Sequence, residues 1–165
     1  MCVSVRLNVE HGPHRGVPRA EVLRRARVVS RELQLTHLEL SIVLTNDDTI
    51  RRLNAAYRSL DAPTDVLAFA MREGEGGHLH GALLGDVVVS VERARAQAAR
   101  AGRDVLSEVT MLVVHGTLHL LGWDHDTRPK DVRMRAETAR LCRLARVRRK
   151  GASKHPGGPG GVPRA

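Results

Sequence analysis

Between Val105 and Leu121 the chain is apolar enough to demand burial, yet it carries His115 and His119 four residues apart, with Gly122, Trp123, Asp124 and His125 directly after. Asp104 stands where an N-cap belongs and Gly122 where a left-handed C-terminal residue belongs, so the stretch predicts one buried helix ended by a sharp turn. Residues at i and i+4 share a helix face about 6 Å apart along the axis, which lets two imidazoles reach one ion. The turn at Gly122 then lets His125 swing back as a third nitrogen donor. Uncompensated imidazoles in so apolar a segment are costly to bury, and three of them around a helix-ending glycine are hard to explain by packing. Three neutral histidines with a fourth position open are the pattern of catalytic zinc, whereas a structural site would be closed by four protein ligands. One Zn2+ per chain, held by His115, His119 and His125, is therefore expected.

The remaining chain supplies a framework for that helix. Val3 to Val9 alternates with period 2 and predicts a half-buried strand; Leu38 to Thr45 repeats the pattern with Leu38, Leu40, Ile42 and Leu44 on one face. Between them Val22, Leu23, Ala26, Val29 and Leu33 recur at helical spacing after Pro18, and Asn46 is placed to cap a helix through Ile50, Leu53, Asn54 and Tyr57. Arg58 to Thr64 reads as a loop, Asp65 to Met71 as a short strand, Glu73 to Gly81 as a flexible connection, and Leu84 to Ser90 as a central strand rich in β-branched residues. Helices are expected over Val91 to Ala101 and from Asp131 to about Arg149, the last with Met134 in the core. Strands interleaved with helices indicate an α+β fold, a small mixed β-sheet packed with helices, in one domain over residues 1–150. Residues 151–165 contain five Gly and three Pro and are expected to form a disordered basic tail.

Charge divides the chain unevenly. Of its 27 Lys and Arg, seven lie from Arg143 onward, where there is no acid; the preceding residues hold 20 basic against 18 acidic side chains. A basic C-terminal extension attracts polyanions, nucleic acid foremost. No apolar stretch is long enough to span a membrane, and the N-terminus has no apolar leader region. Cys2 and Cys142, far apart and in no CxxC pair, suit free thiols in a reducing compartment, so a cytoplasmic location is expected. His11, His14, His78, His80 and His155 fall in Gly/Pro-rich stretches and read as exposed.

The histidine spacing equals that of the metzincin peptidases, H-E-x-x-H-x-x-G-x-x-H, except that Gly116 replaces their glutamate. That glutamate is the general base of peptide hydrolysis. A metallopeptidase that draws its base from elsewhere is one alternative, and a non-catalytic, metal-stabilised ribosome assembly factor binding through the basic tail is another.

The run His115-Gly116-Thr117-Leu118-His119-Leu120-Leu121-Gly122-Trp123-Asp124-His125 resembles the H-G-x-L-H-L-x-G-x-D-H motif of the YbeY family of bacterial rRNA maturation factors. Two further blocks do so in order. Tyr57-Arg58, Asp61 and Pro63-Thr64-Asp65-Val66-Leu67 with Phe69 resemble Y-R-x-x-D-x-P-T-D-V-L-S-F, and Leu84 to Ser90 resembles an L-G-D-I-V-I-S strand. The resemblance implies a zincin-like α+β domain, a zinc-dependent endoribonuclease specific for single-stranded RNA, and a role in rRNA processing and in ribosome maturation or quality control. Its partners would be single-stranded RNA, rRNA especially, and the ribosome or its proteins; neither a membrane nor DNA is expected. Arg58 takes the position of the family's active-site arginine. Leu60 stands where some members have lysine, Ala68 replaces the usual serine, and the last helix, often acidic in relatives, is basic here.

On this reading the zinc supplies a water of pKa about 7 and polarises a phosphoryl oxygen, while the guanidinium of Arg58 grips a phosphate with its planar fork. Asp124 either orients a ring N–H or caps the turn. Asn54 and the segment from Asp61 to Asp65 fix the loop that positions Arg58, Asp86 has a structural role or borders the cleft, and Trp123 is the leading candidate for stacking on a base.

Overall fold

The computed structural model describes residues 3–71 and 82–148. Within them the chain runs β1 (Ser4–Val9), α1 (Arg19–Glu32), β2 (Glu39–Thr45), α2 (Asp47–Arg58), β3 (Val66–Ala70), β4 (Leu83–Ser90), α3 (Val91–Ala101), α4 (Val105–Leu120) and α5 (Arg128–Arg146). The strands form one sheet in the order β1-β2-β4-β3. β1, β2 and β4 are mutually parallel, and β3 is antiparallel on the edge beside β4. Parallel neighbours cannot be joined by a tight hairpin, so α1 carries the chain between β1 and β2, and the passage from β2 to β4 takes in α2 and the edge strand. The mixed sheet expected from the alternation of elements is therefore present, with β4 in an inner position.

Period-2 patterning assigns the two faces. Leu40, Ile42, Leu44, Val87 and Val89 join Val22 and Ala26 of α1 and Val109, Leu112 and Val113 of α4 in one core. Val88 and Val43 point the other way, against Ile50 and Leu53 of α2 and Leu67 of β3. A third cluster joins Val29 of α1, Val114 and Leu118 of α4, and Met134, Leu141 and Ala145 of α5. Helix α4 thus lies between the sheet and α5, which is why it is apolar nearly all round; a helix with one free side would carry an apolar stripe only.

Two glycines allow this close approach. A Cβ at Gly85 would stand 2.4 Å from the Phe69 carbonyl oxygen and 2.8 Å from Leu120 Cδ2, so β4 here presses directly on the β3 backbone and on a side chain from the end of α4. A Cβ at Gly116 would stand 2.7 Å from Val87 Cγ1. Across the helical layer, Arg24 of α1 donates to the carbonyls of Ala145 (2.7 Å) and Val147 (3.2 Å), which satisfies acceptors left open at the end of α5. Glu21 holds Arg24 at 2.8 Å and Arg148 at 3.2 Å. Hydrogen bonding from Arg24, opposed by burial and supported by Arg25, lowers the Glu21 carboxyl to a pKa of about 2.

Some boundaries differ from expectation. Helix α5 begins at Arg128, three residues before the predicted Asp131, because the Thr127 hydroxyl caps it at Lys130 N and Pro129 occupies its first turn. It ends at Arg146 rather than near Arg149. Leu33 is the C-cap of α1, outside the helix, since the chain turns at Gln34 with φ 59°. His14 is half-buried, its Nε2 2.9 Å from the Glu10 carbonyl oxygen, whereas His11 is exposed as expected. His78, His80, His155 and the tail from 151 onward lie outside the described residues.

Candidate metal centre

The last turns of α4 carry His115 and His119 on one face, as their spacing requires, with their Nε2 atoms 3.0 Å apart. Leu121 ends the helix, and Gly122 follows with φ 86°. Gly122 N–H donates to the His119 carbonyl (3.0 Å) and Trp123 N–H to the Leu118 carbonyl (3.0 Å), the paired bonds of a left-handed glycine cap. This turn brings His125 back across the helix end. Its ring centroid lies 5.7 Å from that of His115 and 5.2 Å from that of His119. One ligand atom from each of the three rings lies within 4.8 Å of the others, and among the described residues no carboxylate or thiol joins the group.

The donor chemistry suits a borderline-soft divalent cation. His115 and His119 are half-buried. Desolvation, and then the charge of the neighbouring rings, hold both below the ordinary imidazole range, so they are neutral donors at neutral pH. Two nitrogens of a tetrahedral site with bonds of about 2.0–2.1 Å lie roughly 3.3 Å apart. The 3.0 Å between His115 and His119 is close to that separation. The three residues fit a zinc-type ion, and three donors leave a tetrahedral ion one position for a further ligand.

Arg58, the last residue of α2, stands on the wall of the same cavity. That cavity, about 460 Å³, is lined by Arg58, Asp65, Ala68 and the three histidines. Arg58 Nη2 donates to the Ala68 carbonyl at 3.0 Å, and its guanidinium carbon is 5.9 Å from the Phe69 ring centre. The loop behind it is firmly held. Ser59 ends α2 with φ 54°, Asn54 Nδ2 donates to the Ala62 carbonyl at 2.9 Å, and Arg51 grips both carboxylate oxygens of Asp61 at 2.8 and 3.1 Å. All four site residues singled out from the sequence therefore face one cavity.

Other candidates sort themselves. Asp124 Oδ1 accepts from His125 N–H at 2.7 Å, so it fastens the turn that carries the third histidine. Trp123 is half-buried, packed in part against the cluster under α5. Asp86 lies on β4 opposite Ser41 and Phe69 and away from the cavity wall. Tyr57, which the sequence pattern assigns to the helical spacing of α2, is 71% exposed beside Arg58 with its ring edge-on to Phe69 at 5.3 Å. Its place directly before Arg58 at the end of α2 is the sequence signal for that exposure.

Gly116 distinguishes this site from the peptidases whose spacing it shares. The position faces Val87 and Val66 of the sheet at 2.7 and 3.3 Å from a hypothetical Cβ, so a glutamate would have to displace core side chains.

A family model described as "Endoribonuclease YbeY" matches residues 19–145. The chain belongs to the YbeY endoribonuclease family. The YbeY endoribonuclease of Heliobacterium modesticaldum is 48% identical over 117 residues, covering 66% of this chain and 70% of the relative. That of Aquifex aeolicus is 44% identical over 112 residues, covering 68% and 73%. A solution structure of a Thermotoga maritima protein superposes with a TM-score of 0.60 over 86% of this chain and 88% of that one; at 21% identity the likeness is one of fold. Among YbeY relatives, then, this chain presents the three-histidine cluster on α4 and the turn after it, with Arg58 facing them from α2.

Proposed function

We propose that this protein is a zinc-dependent endoribonuclease specific for single-stranded RNA, acting on rRNA during ribosome maturation and quality control in the cytoplasm. The domain is read as zincin-like over residues 1–150, with residues 151–165 as a basic tail; single-stranded RNA, rRNA above all, is its partner, with the ribosome or ribosomal proteins, and without DNA or membrane. Among the described residues no helix is long and apolar enough to cross a membrane. The observation that carries the reading is the convergence of His115, His119 and His125 on one point, faced by Arg58 across the same cavity.

Zinc held by the three rings would supply Lewis acidity toward a phosphoryl oxygen and lower the pKa of water to about 7. The chain's own residues supply position. The neutral imidazoles of His115, His119 and His125 would hold the ion in the cavity that Val66 and Gly116 also line. Asp124, by fixing the His125 backbone, keeps the third ring in place. Arg58 has one guanidinium nitrogen tied to the Ala68 carbonyl and its plane set near Phe69, so its other donors are presented to a phosphate, where they bind an oxygen and offset charge as it accumulates. The packing at Gly116 leaves no room for a glutamate base at that position, so a peptidase would have to draw its base from elsewhere in the chain.

Incubation of the purified protein with single-stranded rRNA fragments and with casein, with and without chelator, separates the readings. Chelator-sensitive RNA cleavage that is absent in His119→Ala supports the proposal; casein loss would point to a peptidase, and RNA binding without turnover to an assembly factor. Arg58→Ala should lower kcat by about 10²–10³-fold, the scale of losing one charge-stabilising donor, with zinc content unchanged. Full activity in that variant would remove Arg58 from the mechanism.

A further inference from the structure

His115 and His125 line two cavities. One is the Arg58 cavity; the other, about 760 Å³, opens from His115 and His125 along the side of α5, and four arginines line it. Arg135, Arg143 and Arg146 come from α5 and Arg103 from the turn before α4, all four exposed. From Arg135 to Arg146 the helix advances about 16 Å at 1.5 Å per residue. A stacked nucleic-acid strand advances about 3.4 Å per nucleotide, so this row matches several consecutive phosphates and is too long for one.

The charges are poorly offset from within. Arg135 is paired with Asp131 at 3.0 Å and Arg103 with the buried Glu108 at 3.0 Å. The side chains of Arg143 and Arg146 have no ion pair and no hydrogen bond among the described residues. Among the described residues, Asp131 is the one acid in the cavity wall. On the opposite side of α5 the case differs: Arg140 is clamped by Glu137 at 2.7 Å and Glu32 at 2.6 Å. Two uncompensated guanidinium groups, reinforced by two more, therefore flank a trough that runs into the metal centre. On the floor Thr138 is 9% exposed, and its hydroxyl has no partner among the described residues.

We infer that the α5 trough is a backbone-binding track for a polynucleotide: a single strand lies along Arg146, Arg143, Arg135 and Arg103, crosses the three histidines and continues to Arg58. The assignment rests on the endoribonuclease reading and extends it, because it names where the substrate lies on the side of the histidines away from Arg58. The track contacts phosphates, so it contributes affinity and salt dependence without base preference. It also gives the enzyme a minimum substrate length. A strand ending at the metal centre gains nothing from it, whereas one reaching several nucleotides along α5 gains all four contacts.

The test compares wild type with Arg143→Gln/Arg146→Gln, in which both exposed positions keep a polar side chain of similar helix preference and lose the charge. Binding of a fluorescein-labelled single-stranded RNA of about 12 nucleotides is followed by anisotropy across a salt series, in a His119→Ala background to prevent cleavage. Each lost phosphate contact removes about 0.7 from the slope of log K against log salt. The double variant should flatten that slope by about 1.4 and bind the long strand at least about tenfold more weakly at low salt, while cleavage of a dinucleotide by the otherwise wild-type enzyme is unchanged. An unaltered slope and affinity overturn the track. Equal competition by poly-glutamate would also overturn it, because the trough would then be a site for acidic protein. The parent reading fails separately, through the absence of chelator-sensitive cleavage in wild type, so the two failures are distinguishable.

Discussion

Replacing Gly116 by alanine adds a single carbon at the point where α4 meets the sheet. That carbon would lie 2.7 Å from Val87 Cγ1, 3.2 Å from Val87 Cγ2 and 3.3 Å from Val66 Cγ2. Carbon atoms make comfortable contact at about 3.5–4.0 Å, and Val87 is fully buried between β2 and β3 neighbours, so it has nowhere to retreat. Overpacking of this kind costs about 1–3 kcal/mol, and the shortest contact here argues for the upper half. Alanine returns about 1 kcal/mol through its better helix propensity. The net expectation is a loss of about 1–2 kcal/mol, equivalent to about 2–8 °C in Tm for a chain of this size. Urea unfolding followed by circular dichroism measures it, and a double-mutant cycle with Val87→Ala isolates the cause. In the Val87→Ala background the two shortest contacts are gone and only the 3.3 Å approach to Val66 Cγ2 remains, so Gly116→Ala should there cost much less or be neutral. If it stabilises the protein in the wild-type background, the close approach of α4 to β4 is not what requires glycine, and the packing argument against a glutamate at this position falls with it.

Gly122→Ala places a side chain at φ 86°, at a cost of about 1–2 kcal/mol, and it should weaken zinc binding in a competition titration because the turn carries His125; unchanged affinity would detach the turn from the site. Arg58→Lys should restore little of the activity lost in Arg58→Ala, because an ammonium cannot reproduce the planar fork held by the Ala68 carbonyl. The Glu21 carboxyl titrates near 2 in the folded protein against 4.5 ordinarily, so its contribution is complete above about pH 4.5 and disappears as pH falls toward 2. Glu21→Gln should accordingly lose stability at neutral pH and show a flatter stability profile through that window, read from denaturation midpoints. Burial pushes the Cys142 thiol up, so it should react with a thiol reagent at pH 8 far more slowly in the native state than after unfolding.

Local chemistry made much of this architecture legible. Alternation at Leu40, Ile42 and Leu44 marked a buried strand face, Asn46 and Asp104 marked helix starts with bonds to Thr49 and Ser107, and Gly122 marked the turn. The histidine spacing brought out the centre because i, i+4 geometry on a helix is nearly independent of the rest of the fold. Features created by distant segments were not legible. The edge position of β3 depends on pairing with β4, and the tether from Arg58 to the Ala68 carbonyl joins α2 to that edge. Gly116 read only as a missing base, since the Val87 side chain it accommodates lies in another element. The trough beside α5 emerges only once α4 is seen packed between that helix and the sheet. The start of α5 at Arg128 is a different case: Thr127 followed by Pro129 is a local helix-start signal, an N-cap hydroxyl ahead of a first-turn proline.

The proposed chemistry requires three imidazole nitrogens to share one divalent ion. Metal analysis of tag-free protein, wild type beside His115→Ala, His119→Ala and His125→Ala, tests this directly. One zinc per chain in wild type, with loss or marked weakening in each variant while the fold is retained, is the predicted result. Metal-free wild type under zinc-replete conditions, or full zinc retention after removal of His115 or His119, would contradict it.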